Sequence, residues 1–159
     1  MSHESTDRFF RAVAIRPYGP HIRTRVFALL ERAGVMVAER DVIPKGTSDD
    51  DVIEALRTHR AGVLLAPFHA HRDDQVRNVN GVDTVLRVVS ELPNFERVPI
   101  IMPVSSSALA AANLRLEAQG SGAIPKSVRD RIFVIDEAEL DQPALLARLV
   151  SHLRLQFTR

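Results

Sequence analysis

The feature that most constrains this chain is an alternation of two patterns. Short apolar runs, each too brief for a helix, are separated by segments whose apolar residues recur every three or four positions. Arg11-Ala12-Val13-Ala14-Ile15 reads as a first strand, closed by Pro17, Gly19 and Pro20. From Pro20 to Ala33 apolar residues fall at Ile22, Val26, Leu29, Leu30 and Ala33, one stripe of an amphipathic helix. Pro20 suits the first turn of that helix and Gly34 the position just past its end. Val35-Met36-Val37-Ala38 reads as a second strand. Ser48 is placed to cap a helix whose first turn carries Asp49, Asp50 and Asp51, the charge favoured at that end of the helix dipole. Gly62-Val63-Leu64-Leu65-Ala66 is continuously apolar, as a central strand covered on both faces must be. Val82, Val85, Leu86, Val89 and Leu92 mark a third helix, and Val98-Pro99-Ile100-Ile101-Met102 a fourth strand. Ser105 to Glu117 reads as a fourth helix, Ile132-Phe133-Val134-Ile135 as a fifth strand. A closing helix is lined by Leu145, Leu146, Leu149, Leu153 and Phe157.

Five strands alternating with five helices predict a three-layer α/β fold: a doubly wound, five-stranded parallel sheet of flavodoxin-like type with helices on both faces. Right-handed crossovers and short connections favour the strand order 2-1-3-4-5. Val13, Ile15, Val63, Leu65, Ile100 and Val134 are expected inside. With 159 residues there is material for one domain, read as residues 11–159 preceded by a polar tail at 1–10. Twenty-one Lys and Arg against twenty Asp and Glu leave a formal charge of +1, which argues against a general grip on nucleic acid. The chain has no cysteine, which excludes disulfides, thiolate metal sites and a cysteine nucleophile. No apolar run approaches the roughly 20 residues that span a bilayer, and a cytoplasmic address is expected.

In this fold ligands and partners meet the crevice beyond the carboxyl ends of the strands, where the winding reverses. With order 2-1-3-4-5 that point lies between strands 1 and 3. The loops there are Arg16-Pro17-Tyr18-Gly19-Pro20 and Pro67 to Gly81, the longest polar connection in the chain. Arg16, Tyr18, His69, His71, Arg72 and Asp74 are therefore the candidate ligand- or partner-binding residues. The cluster is expected to lie exposed, with three uses open to it: gripping an anionic ligand through Arg16 and Arg72, stacking an aromatic ring on Tyr18, or forming a partner's docking surface. His69 and His71 with Asp73 and Asp74 lack any spacing that defines a metal site, so no metal is assigned. Gly120-Ser121-Gly122 lies after a helix and lacks the Lys of a phosphate loop, so it reads as a hinge or helix stop. Ser105-Ser106-Ser107 reads as a helix cap in preference to a phosphate site.

The stretch from Leu29 to Gly46, Leu-Leu-Glu-Arg-Ala-Gly-Val-Met-Val-Ala-Glu-Arg-Asp-Val-Ile-Pro-Lys-Gly, resembles the Toll/interleukin-1 receptor (TIR) domain family. Gly62 to Pro67, Val98 to Val104, and Ile124-Pro125 before Ile132 to Asp136 continue the likeness, which runs from about Arg11 to Leu153. The resemblance implies an intracellular signalling domain that binds a protein partner or associates with itself. It also implies an enzymatic alternative, an NAD glycohydrolase or nucleotide-signal synthase with NAD as substrate and no bound cofactor. Such members carry a Glu on the third helix in a Trp-Cys setting, and this chain has neither Trp nor Cys. Asp83 is then the candidate catalytic carboxylate, because Glu91 would sit ~12 Å further along the helix. A second, weaker resemblance is to response-regulator receivers, in Asn80-Gly81-Val82-Asp83 and Pro99-Ile100-Ile101-Met102. A working receiver needs acidic residues after strand 1 for a divalent cation and an Asp after strand 3 to accept phosphate. Here those places read Arg16-Pro17 and Ala66-Pro67-Phe68, so this resemblance implies a pseudo-receiver that cannot be phosphorylated in the usual way.

Overall fold

A run such as Val63-Leu64-Leu65 has no polar face to offer water, so it can lie only where both faces of a sheet are covered. The computed structural model describes residues 11–17, 20–44, 46–68 and 81–157. In it, strands β1 (Ala12–Ile15), β2 (Val42–Ile43), β3 (Val63–Leu65), β4 (Ile100–Val104) and β5 (Ile132–Asp136) form one parallel sheet in the order β2-β1-β3-β4-β5. Among the described residues six α-helices connect and cover it: α1 (Pro20–Arg32), α2 (Asp49–Leu56), α3 (Gly81–Glu91), α4 (Leu109–Leu116), the single turn α5 (Lys126–Arg129) and α6 (Pro143–Phe157). The expected fold class and strand order are the ones observed.

The two-residue period of the strands divides the core into two layers. Val13, Ile15, Leu64, Ile100 and Met102 face α2, α3 and α4, meeting Val52, Leu56, Val85, Val88 and Ala112. Ala12, Ala14, Val63, Leu65 and Ile101 face the other way, against Val26, Leu29 and Leu30 of α1 and Leu145, Leu149 and Leu153 of α6. Val13, Ile15, Val63, Leu65 and Ile100 are buried as expected. Val134 is only partly so, because among the described residues β5 is the edge strand of the sheet. Ser48 caps α2 as its sequence predicts, its Oγ accepting from the Asp51 amide at 3.1 Å.

Two local expectations are corrected, and one helix is added. The apolar run Val35–Ala38 is not the second strand. It makes one parallel bridge, Arg11 with Met36, and Met36 is 69% exposed at the sheet edge. The chain then folds into a tight 3-10 turn over Glu39–Asp41, and regular pairing begins only at Val42 beside Ala14. The reason is Asp41, which is buried and takes a two-pronged hydrogen bond from Arg11, Nε at 2.8 Å and Nη2 at 2.7 Å. Drawing that carboxylate inward uses the three residues of the turn as slack in the edge strand. Likewise, Ser105 to Glu117 is not one helix: Ser106–Ala108 form a 3-10 turn before α4 begins. α5, which precedes β5, was not expected as a helix.

Candidate functional site

β1 delivers its chain to the carboxyl edge of the sheet at Ile15, and the next residue starts the crevice. The Arg16 amide still donates to the Ile43 carbonyl at 2.7 Å, prolonging the β1–β2 ladder by one bond. Its backbone then turns into the left-handed region, φ +48°, which a side chain with a Cβ adopts only at a cost of about 1 kcal/mol. What holds it there is the side chain. Arg16 is 2% exposed, and its guanidinium bridges three separate segments. Nε donates to the Thr47 carbonyl at 2.7 Å, Nη1 to Thr84 Oγ1 at 3.1 Å, and Nη2 to Asp49 Oδ1 at 2.7 Å. Thr84 Oγ1 in turn donates to Asp49 Oδ1 at 2.9 Å, which closes a partly buried ring of charge and hydroxyl.

The ring has a clear electrostatic logic. Partial burial pushes the Asp49 carboxyl upward, but the hydrogen bonds from Arg16 and Thr84, with the charges of Arg16 and Arg87, outweigh it and hold the group below its usual range. Asp49 also opens α2, where the helix dipole favours an anion. The expected exposed arginine, reaching outward for an anionic ligand, is therefore corrected: every nitrogen of the Arg16 fork is committed to the protein itself. Asp49, Thr84 and Thr47 were not foreseen as its partners. They lie 33, 68 and 31 residues away, and the sequence offers only Asp49 as a charged first turn.

Asp83, the candidate catalytic carboxylate, does not join this ring. One residue before Thr84 on α3, it points about 100° around the helix from it. Its Oδ1 pairs with Arg115 of α4 at 3.2 Å, and Arg115 also donates to the Gly122 carbonyl at 2.6 Å. Asp83 thus ties α3 to α4, and Arg115 carries the link on to the segment after α4. Ser106, from the serine triplet, donates to Asp136 Oδ1 at 2.8 Å and links the ends of β4 and β5. It does not cap a helix.

Tyr18, His69, His71, Arg72 and Asp74 lie outside the described residues. The residues that bracket the long loop are nonetheless informative. Phe68 is buried, and its amide donates to the Pro103 carbonyl at 3.0 Å, while the Gly81 amide donates to the Phe68 carbonyl at 2.5 Å. A Cβ on Gly81 would lie 1.9 Å from the Pro67 carbonyl oxygen, so only glycine allows this approach. Residues 68 and 81 are thus joined at one point on the crevice rim, beside Ala66, Pro67 and Phe68, all buried.

No protein-family profile matches the chain, and no curated protein matches it in sequence. Solved structures do match its fold. A response-regulator receiver protein from Sinorhizobium medicae WSM419 is 13% identical with TM-score 0.54, the match covering 93% of this chain and 94% of the other. A sensor protein from Polaromonas sp. JS666 is 15% identical with TM-score 0.57, covering 92% and 98%. The receiver domain of the sensor histidine kinase PA1611 from Pseudomonas aeruginosa PAO1, solved with magnesium ion in its active-site cleft, is 17% identical with TM-score 0.50, covering 88% and 97%. The likeness is one of fold. Of the two resemblances read from the sequence, the receiver-like one is matched by these structures, and the TIR-like one is not supported. The chain shares the flavodoxin-like fold of these structures and carries an arginine clamp in its crevice.

Proposed function

We propose that this domain is a receiver-like signalling module that acts through protein–protein contacts and is not switched by phosphorylation of its own crevice. The observation that carries the reading is the Arg16 clamp. A hard divalent cation in a receiver needs oxygen ligands after β1. Here a buried guanidinium stands at that place and already holds Asp49, so an added cation meets both repulsion from Arg16 and competition for the carboxylate. After β3, Ala66, Pro67 and Phe68 offer no side-chain oxygen to accept a phosphoryl group. What such a domain retains is surface: helices and loops held in one arrangement, available to a partner or to a second copy of the chain.

The test is chemical. Incubated with acetyl phosphate and magnesium, the protein keeps its intact mass, and magnesium titration gives no saturable heat. A stoichiometric, base-labile phosphoryl adduct overturns the proposal.

A further inference from the structure

At the pole opposite the crevice, the amino ends of β3 and β4 leave a groove of about 360 Å³ between residues 60–62 and 93–99, with the end of α6 beside it. Its floor is apolar, from Ala61, Val98 and Pro99, and its rim carries Arg60 and Arg97. We propose that this groove binds an acidic peptide segment of a partner protein, its carboxylates between Arg60 and Arg97 and an apolar side chain on the floor.

Two observations support a binding surface over a mere crease. The first is bracing. Asn94 Nδ2 donates to the His59 carbonyl at 2.6 Å, fastening one wall to the other. Arg131, 7% exposed, donates from Nη1 to the carbonyls of Phe95 at 3.2 Å and Val98 at 2.9 Å, and from Nε to that of Ser127 at 3.2 Å. The walls are therefore set before any ligand arrives, which lowers the ordering cost of binding. The second is charge. Arg11, Arg16, Arg23, Arg25, Arg57, Arg87, Arg115 and Arg148 each face a carboxylate within salt-bridge distance. Among the described residues Arg60 and Arg97 do not, and neither do Arg32, Arg40, Arg129 and Arg154, but of these six only Arg60 and Arg97 line the groove, and Arg131 beneath it is held by carbonyls. Glu96 offsets one of these three cations and leaves the groove positive. A carboxylate-bearing segment is the occupant that this charge selects, and Ala61, Val98 and Pro99 of the floor favour an apolar residue beside it.

The inference does not rest on the proposed crevice function, and its test is separate. The probe is a fluorescein-labelled, acetylated peptide in which Glu and Asp flank one Phe, titrated into the whole protein by anisotropy. Binding is expected at low salt, weakening as salt rises. The double variant Arg60→Ala/Arg97→Ala, exposed at both positions and so melting like the parent, should bind roughly tenfold more weakly. Asn94→Ala should also weaken binding with every charge kept. Equal affinity for the same peptide with Gln and Asn in place of its acids overturns the proposal. So does unchanged affinity in the double variant, or full competition by inorganic phosphate or ATP, which would mark a small-anion site.

Discussion

Removing the Arg16 guanidinium is the sharpest perturbation that the crevice permits. In Arg16→Ala, Thr47, Thr84 and Asp49 lose hydrogen bonds of 2.7, 3.1 and 2.7 Å together, and the buried Thr84 hydroxyl loses a donor. Breaking a buried ion pair by deleting one partner costs about 3–5 kcal/mol. The Asp49 side chain is 32% exposed, so its carboxylate is partly rehydrated, and the lower end, about 3 kcal/mol, applies. In a domain of this size that corresponds to a fall in Tm of roughly 6–12 °C. Differential scanning calorimetry and urea unfolding measure it. Arg148→Ala, which breaks an exposed pair with Glu139, is the control and should change stability by no more than ~0.5 kcal/mol. Arg16→Gly separates charge from backbone: it loses the same bonds but relieves the positive φ, and should be about 1 kcal/mol more stable than Arg16→Ala. If Arg16→Ala melts with Arg148→Ala, the clamp does not hold the crevice, and the reasoning fails.

Three further outcomes follow from the geometry. Asp41 is held below its usual pKa chiefly by the Arg11 hydrogen bonds, so its stabilisation is present above about pH 4 and lost as pH falls through the lowered folded value. Asp41→Asn should therefore be less stable than the parent at pH 7 by about 1–2 kcal/mol, because the Arg11 side chain left without its carboxylate is 38% exposed, with the gap closing in acid, as urea unfolding across pH will show. His152 is held below its usual pKa by burial, although its bond to the Arg131 carbonyl works the other way. The unfolded chain takes up that proton first, so the parent should lose stability from about pH 7 to pH 5, and His152→Gln should lose less over the same range. Gly81→Ala forces a Cβ onto the Pro67 carbonyl and should destabilise by at least ~2 kcal/mol in thermal melts. A neutral result would mean that α3 starts elsewhere.

The helices and strands were legible because their signals are local. Val13 and Ile15 alternate with Ala12 and Ala14 within four residues, and that alternation alone assigns each to one of the two core layers. The Ser48 cap is likewise a three-residue relation. The second strand was misplaced for the same reason: Val35–Ala38 has the local look of a strand, but its pairing was decided by Asp41 binding Arg11, 30 residues earlier. At the candidate site, sequence located the crevice loops and two residues that the structure describes, Arg16 and Asp83. It did not show which way either one points.

Apolar periodicity and turn residues by themselves determined the layers, the strand order and the place where a crevice must open, because burial of short apolar strands allows few other arrangements. Whether Arg16 faces solvent or core was decided only by tertiary structure. A guanidinium is equally at home in water and in a ring of acceptors, and nothing within its own loop distinguishes the two. The choice was made when the assembled sheet brought Asp49 and Thr84, 33 and 68 residues distant, within 3.1 Å of the same side chain.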